Sequence, residues 1–247
     1  MTTRKMATAK AGALKPGALP ARNSTLDLAR MSVREINQLL HEADGGDFLI
    51  QNPRGAHNLA AGLDGNFNVT IDGHVGYYCA GMNKRASVMI NGNAGTGVAE
   101  NMMSGRVHVK GDVSQSAGAT GCGGLLIVEG NASSRCGISL RGLDIVVKGS
   151  VGHMSAFMAQ AGTLVVLGDA GDALGDSIYE ARLYVRGQVG SLGADCVVKD
   201  MRDGHKAALR RLLDAAGVGG GLDVSDFRRY GSARALYNFH IDNLGSY

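Results

Sequence analysis

The sequence holds no tryptophan, only three prolines, and no run approaching 18 consecutive apolar residues. The last absence excludes a membrane-spanning helix. Scarce proline excludes collagen despite abundant glycine. Four cysteines (Cys79, Cys122, Cys136, Cys196) show no CxxC spacing, which argues against zinc fingers and clustered iron–sulfur ligation. There is no GxGxxG, GxxxxGK[ST], HExxH or GxSxG, so the usual marks of dinucleotide binding, phosphate loops, zinc hydrolysis and serine nucleophiles are missing. Acids are absent from residues 1–26, where Arg4, Lys5, Lys10, Lys15 and Arg22 supply five positive charges; without them the net +3 becomes −2. The basic balance therefore belongs to a flexible arm, not to a nucleic-acid face. No apolar stretch suited to secretion follows it, and a soluble cytoplasmic protein is expected.

What is present is glycine, 38 of 247 residues, about twice the usual share. Gly73, Gly92, Gly111, Gly130, Gly149, Gly168 and Gly187 recur every 19 residues. Four and two residues before each stand Val69/Ile71, Val88/Ile90, Val107/Val109, Leu126/Val128, Ile145/Val147, Leu164/Val166 and Leu183/Val185. Alternating branched aliphatics make a strand with one buried face. Two residues after each marker come Val75, Ala94, Val113, Ala132, Val151, Ala170 and Val189. Seven after come Ala80, Ala99, Gly118, Gly137, Ala156, Gly175 and Ala194.

So short a unit cannot bury its apolar positions alone and must stack on copies of itself. The spacing predicts an all-β chain, a single-stranded parallel β-helix of about seven 19-residue coils, flanked by an N-terminal and a C-terminal helix. A propeller needs longer blades. The marker glycine reads as a corner with positive φ, and the Ala/Gly column as a bend near the axis. Residues 32–43 carry Ile36, Leu39 and Leu40 at helical spacing behind Ser32 as N-cap. Residues 203–216 carry Leu209, Leu212 and Leu213 with Asp203 as cap.

Five regions follow: 1–30 a flexible basic arm, 31–54 a helical segment, 55–200 the β-helix, 201–222 a helix with a Gly-rich linker, and 223–247 an arm holding Phe227, Tyr230, Tyr237, Phe239 and Tyr247, which reads as an anchor to another surface. The outward strand column Thr70, Met89, His108, Ile127, Val146, Val165, Tyr184 contains an apolar stripe, and the helix 203–216 is the expected cover. His74 and His153 read as solvated turns, and Cys79 and Cys136 as core packing. Asp172 and Asp176 do not recur as calcium ligands would. No catalytic, cofactor-binding or metal-binding residue is assigned.

Segments such as Val128-Glu-Gly130-Asn-Ala132-Ser-Ser-Arg135-Cys-Gly137 and Val147-Lys-Gly149-Ser-Val-Gly152-His-Met-Ser-Ala156 resemble the turns of the GXGXG β-helix domain that closes the large subunit of glutamate synthase. The module also occurs in the C subunit of formylmethanofuran dehydrogenase. The resemblance spans about residues 55–198 and departs at Ser114 and Ser133, which replace the second glycine. The helix around Val33–His41 and the tail Arg234–Asn243 are similar to the stand-alone glutamate-synthase-like subunits, notably the β-helix subunit of N-methylglutamate synthase (methylamine–glutamate N-methyltransferase). That resemblance implies a scaffolding subunit of a hetero-oligomer that converts glutamate and methylamine to N-methylglutamate and ammonia. It also implies two partners, a glutamine-amidotransferase-like subunit and a synthase subunit carrying FMN and an iron–sulfur cluster, with no cofactor in this chain. The alternatives are a formylmethanofuran-type C subunit and a self-associating β-helical scaffold.

Overall fold

The computed structural model describes residues 23–234. Strands β1 (Asn23–Asp27), β2 (Gly46–Gln51), β3 (Phe67–Asp72), β4 (Ser87–Ile90), β5 (Arg106–Val109), β6 (Leu125–Val128), β7 (Arg141–Val147), β8 (Ala161–Val166) and β9 (Arg182–Val185) pair in parallel with their sequence neighbours. From β3 onward the register is the 19-residue period: Val69 pairs with Val88, Val88 with Val107, Val107 with Leu126. The chain is a single-stranded parallel β-helix. A second ladder of isolated bridges runs through Val75, Ala94, Val113, Ala132, Val151, Ala170 and Val189, so the column two residues past each glycine forms another side of the coil. The paired inward aliphatics are buried throughout and fill the axis.

The third side is built differently. In six successive coils every second residue takes a left-handed conformation: Tyr78, Ala80 and Met82; Gly97, Ala99 and Asn101; Ser116, Gly118 and Thr120; Arg135, Gly137 and Ser139; Met154, Ala156 and Met158; Ala173, Gly175 and Ser177. Such angles cost a non-glycine residue about 1 kcal/mol or more. Inter-coil hydrogen bonds offset this, with Tyr78 and Met82 donating forward to Thr96 O and Glu100 O while Ala80 donates back to Leu59 O. The buried Ala/Gly column is thus where the backbone turns left-handed.

The marker glycines differ from the sequence expectation, since only Gly73, at φ 137°, has positive φ. The others are glycine because the preceding coil lies too close. A Cβ on Gly149 would stand 2.7 Å from Gly130 O, and one on Gly168 2.5 Å from Ser150 Oγ.

Helix α1 (Val33–Glu42) starts at Ser32, whose Oγ accepts from Glu35 N–H while the Glu35 carboxylate accepts from Ser32 N–H. It turns Ile36 and Leu40 into the core. Helix α2 (Asp203–Ala215) opens differently from expectation: Asp203 is its first residue, Arg202 is the N-cap, and His205 Nδ1 accepts from Arg202 N–H.

The region boundaries shift too. β1 lies inside the stretch read as a basic arm, and β2 inside the N-terminal helical segment; both extend the sheet before residue 55. The aromatic tail contributes β11 (Arg228–Ser232), which inserts antiparallel between β9 and β10 (Cys196–Lys199). Phe227 and Tyr230 are buried in this body, so the anchor begins at home. Tyr237, Phe239 and Tyr247 lie outside the described residues.

Candidate functional site

The outward sheet face carries most of the side-chain chemistry. Ile127, Val146 and Val165 are fully buried there and Tyr184 nearly so, in a cluster with Leu209, Leu213, Ala216 and Phe227. Helix α2 therefore lies along the stripe, as the sequence predicts. Arg106 Nη1 donates to Ala215 O at 3.0 Å, placing a cation on the negative end of the helix dipole.

Where the stripe ends, ionic groups begin. Glu129 accepts from Lys148 Nζ at 2.6 Å and His108 Nε2 at 2.6 Å, with Lys110 Nζ at 3.5 Å. Burial acts to raise the Glu129 pKa, but the hydrogen bonds from Lys148 and His108 overturn it and hold the carboxyl at about 2. Burial pushes the His108 pKa down against the pull of Glu129. The arrangement is a neutral imidazole donating to a carboxylate. Lys148, next in sequence to the buried Val147, is tied into this group.

A depressed carboxyl stabilises the fold fully above its ordinary 4.5, and that stability drains away as pH falls toward 2. The window is worth at most about 3 kcal/mol. In Glu129→Gln, urea midpoints measured between pH 4.5 and pH 2 are expected to fall less steeply than in the parent; parallel curves would mean that Glu129 contributes nothing.

The corner after each marker glycine holds a polar ladder. Asn93 N–H donates to His74 Nδ1, Asp112 N–H to Asn93 Oδ1, Asn131 N–H to Asp112 Oδ1, Ser150 N–H to Asn131 Oδ1, Asp169 N–H to Ser150 Oγ and Gln188 N–H to Asp169 Oδ1. Each side chain satisfies the backbone of the next coil. It uses the space that a marker Cβ would occupy, as with Asp112 Oδ1 against Gly130. His74 is thus an acceptor, not merely a solvated turn. Ser191 Oγ donates to Asp172 Oδ1, and Asp176 Oδ2 accepts from Ala194 N–H, so both aspartates also join coils.

The cysteines are free thiols. Burial pushes Cys79 and Cys136 up to about 12 and Cys196 to about 11, far from a reactive thiolate. Among the described residues no three His, Cys, Asp or Glu side chains gather as metal ligands, and no helix is long and apolar enough to cross a membrane.

One surface stands out. At the left-handed side of one coil Tyr77, Tyr78 and Met82 are exposed, Met82 at 54% and Tyr77 at 52%, with Met103 exposed just past that side in the next coil and Met158 four coils beyond Met82. Tyr77 stacks on His57 with ring centroids 4.5 Å apart. Tyrosine and methionine are enriched at protein–protein interfaces.

No family model matches the chain. It is 58% identical over 228 residues to Protein GlxC of Rhizobium meliloti (strain 1021), covering 90% of this chain and 99% of that protein. The chain belongs to the GlxC family. This GlxC-family body brings the predicted stripe and helix together. The sequence reading missed the ladder and the Tyr/Met face. The ladder has a signal, small polar acceptors at the same 19-residue period; the exposed face has none, because Tyr77, Met82 and Met103 occupy different columns.

Proposed function

We propose that this GlxC-family chain is the scaffolding β-helix subunit of a multi-subunit, cytoplasmic enzyme of glutamate-synthase type, with the chemistry on partner subunits. The observation that carries the reading is the 19-residue solenoid, whose GxxG turns resemble the GXGXG module, joined to an exposed Tyr/Met side suited to a partner. Nine parallel strands at about 4.8 Å each give a rigid body about 40 Å long, enough to hold two active sites at a fixed separation. The finer reading is N-methylglutamate synthase, in which a glutamine-amidotransferase-like subunit and an FMN and iron–sulfur synthase subunit act on glutamate and methylamine. In this reading the chain contributes position, not a reacting group.

Co-expression with the flavoprotein and amidotransferase-like subunits tests it. The expected result is a stable complex, a colourless isolated chain, and loss of the complex on Tyr77→Asp with Met82→Asp while the chain still melts normally. A chain that retains flavin stoichiometrically by itself, or that elutes apart from both partners, would refute the scaffold role.

A further inference from the structure

The two ends of the solenoid are finished unequally. At the first coil α1 lies against the left-handed segment 58–61, where Asn37 donates to Asn58 O and accepts from Ala60 N–H, and its Ile36 and Leu40 are fully buried. At the last coil the interior opens. The column that holds Val151 and Ala170 at 4% and 3% exposure ends on Val189, and buried Leu174 is followed by its bridge partner Leu192; both Val189 and Leu192 are only partly buried.

The sheet side shows the same opening. Register sets Val198 of β10 opposite Tyr230 of β11, and Tyr230 opposite Leu183 of β9, so Val198 lies on the core-facing side of the sheet. Tyr230 is buried and Leu183 fully so, yet Val198 is 62% exposed. Among the described residues β10 is the last strand of the sheet, with no strand along its outer edge. All three sides of the coil therefore end in one apolar mouth bordered by an unpaired strand edge. Such an end templates pairing with another chain unless something covers it.

The chain itself is delivered to this mouth. Ala233 N–H donates to Asp195 O at 2.7 Å, just ahead of β10, and Arg234 Nη2 donates to Asp195 Oδ2 at 2.6 Å with its guanidinium 5.8 Å from the centre of the Tyr179 ring. Thirteen residues follow Arg234 in the sequence, and in them Tyr237, Phe239 and Ile241 alternate with Asn238, His240 and Asp242. That is the pattern of a strand with one apolar and one polar face. Five such residues span about 16 Å, enough to run the length of the four-residue β10. A segment tethered at the rim of its seat acts at a roughly millimolar effective concentration, which favours it over a second copy or a separate protein.

We propose that the C-terminal mouth of the solenoid is a docking site for the chain's own residues 237–241, which pair along the outer edge of β10 and close Tyr237, Phe239 and Ile241 over Val189, Leu192 and Val198. The tail is then the cap that ends the stack and keeps it from adding another chain at β10. The assignment is independent of the scaffold reading, and its test uses no partner subunit.

The sequence has no tryptophan, so Phe239→Trp in the full-length chain supplies a single emitter. Its fluorescence is expected to be blue-shifted and shielded from iodide, equally so across a hundredfold range of protein concentration. Val198→Asp in the same background should shift the emission to the red and restore quenching. Melting supplies the second readout. On an open mouth Val198→Asp alters an exposed side chain at almost no cost, whereas beneath a seated tail it should lower the melting temperature by about 3 °C or more. That loss should vanish in a chain already carrying Phe239→Asp, because the two positions are coupled only through the seated tail. Emission that is iodide-accessible in the isolated chain, or a Val198→Asp variant that melts like the parent, overturns the proposal. Shielding that appears only as concentration rises, together with a dimer in sedimentation, overturns it in favour of a second copy.

Discussion

Val146→Asp is expected to destabilise the isolated chain by about 3–5 kcal/mol, the cost of an unpaired carboxyl inside an apolar layer. Val146 is fully buried between the sheet and α2, among Ile127, Val165, Leu209 and Leu213. Met89, in the same column but 37% exposed, supplies the control: Met89→Asp should be near neutral. If Val146→Asp instead melts like the parent and only fails to assemble with partners, α2 does not cover the stripe in solution. Urea denaturation of the two variants side by side decides the matter.

Ala156→Phe is expected to be as damaging, for a different reason. Ala156 is fully buried at φ 59°, between Gly137 and Gly175 of the adjacent coils. Overpacking alone costs about 1–3 kcal/mol, and here the backbone cannot retreat, because Ala156 N–H is bonded to Cys136 O at 2.8 Å. Ala156→Gly should be close to neutral, since relief of the left-handed angle opposes the greater freedom of the unfolded chain. Similar urea midpoints for the phenylalanine and glycine variants would show that this column is not interior.

What the sequence made legible was whatever repeats. Identical positions stack in a solenoid, so Val69 through Leu183 announce the inward face, and an apolar outward run at Ile127, Val146 and Val165 demands a cover with its own apolar stripe. β11 could not be read this way. It pairs antiparallel with β9 and β10, outside the 19-residue period, and its buried Tyr230 looks in sequence like one more aromatic of a tail. The marker glycines were visible while their cause was not: close approach between coils and a left-handed turn both select glycine, and only geometry separates them.

The hydrogen-bonded ladder from His74 to Gln188 makes the length of this protein a quantised variable. Each rung is served by the residue 19 positions earlier, so excising one whole coil, for example residues 112–130, joins Gly111 to Asn131 and leaves every remaining rung with an acceptor of the right kind. Removing a single residue within a coil would instead displace all later rungs relative to their acceptors. The ends of the stack depart from this arithmetic: Phe48 pairs with Val69, a step of 21 residues, and Leu174 with Leu192, a step of 18. Natural variation in size should therefore arrive as complete coils or as loops at the ends of the stack, and any spacing the body imposes on its neighbours changes in steps of about 4.8 Å.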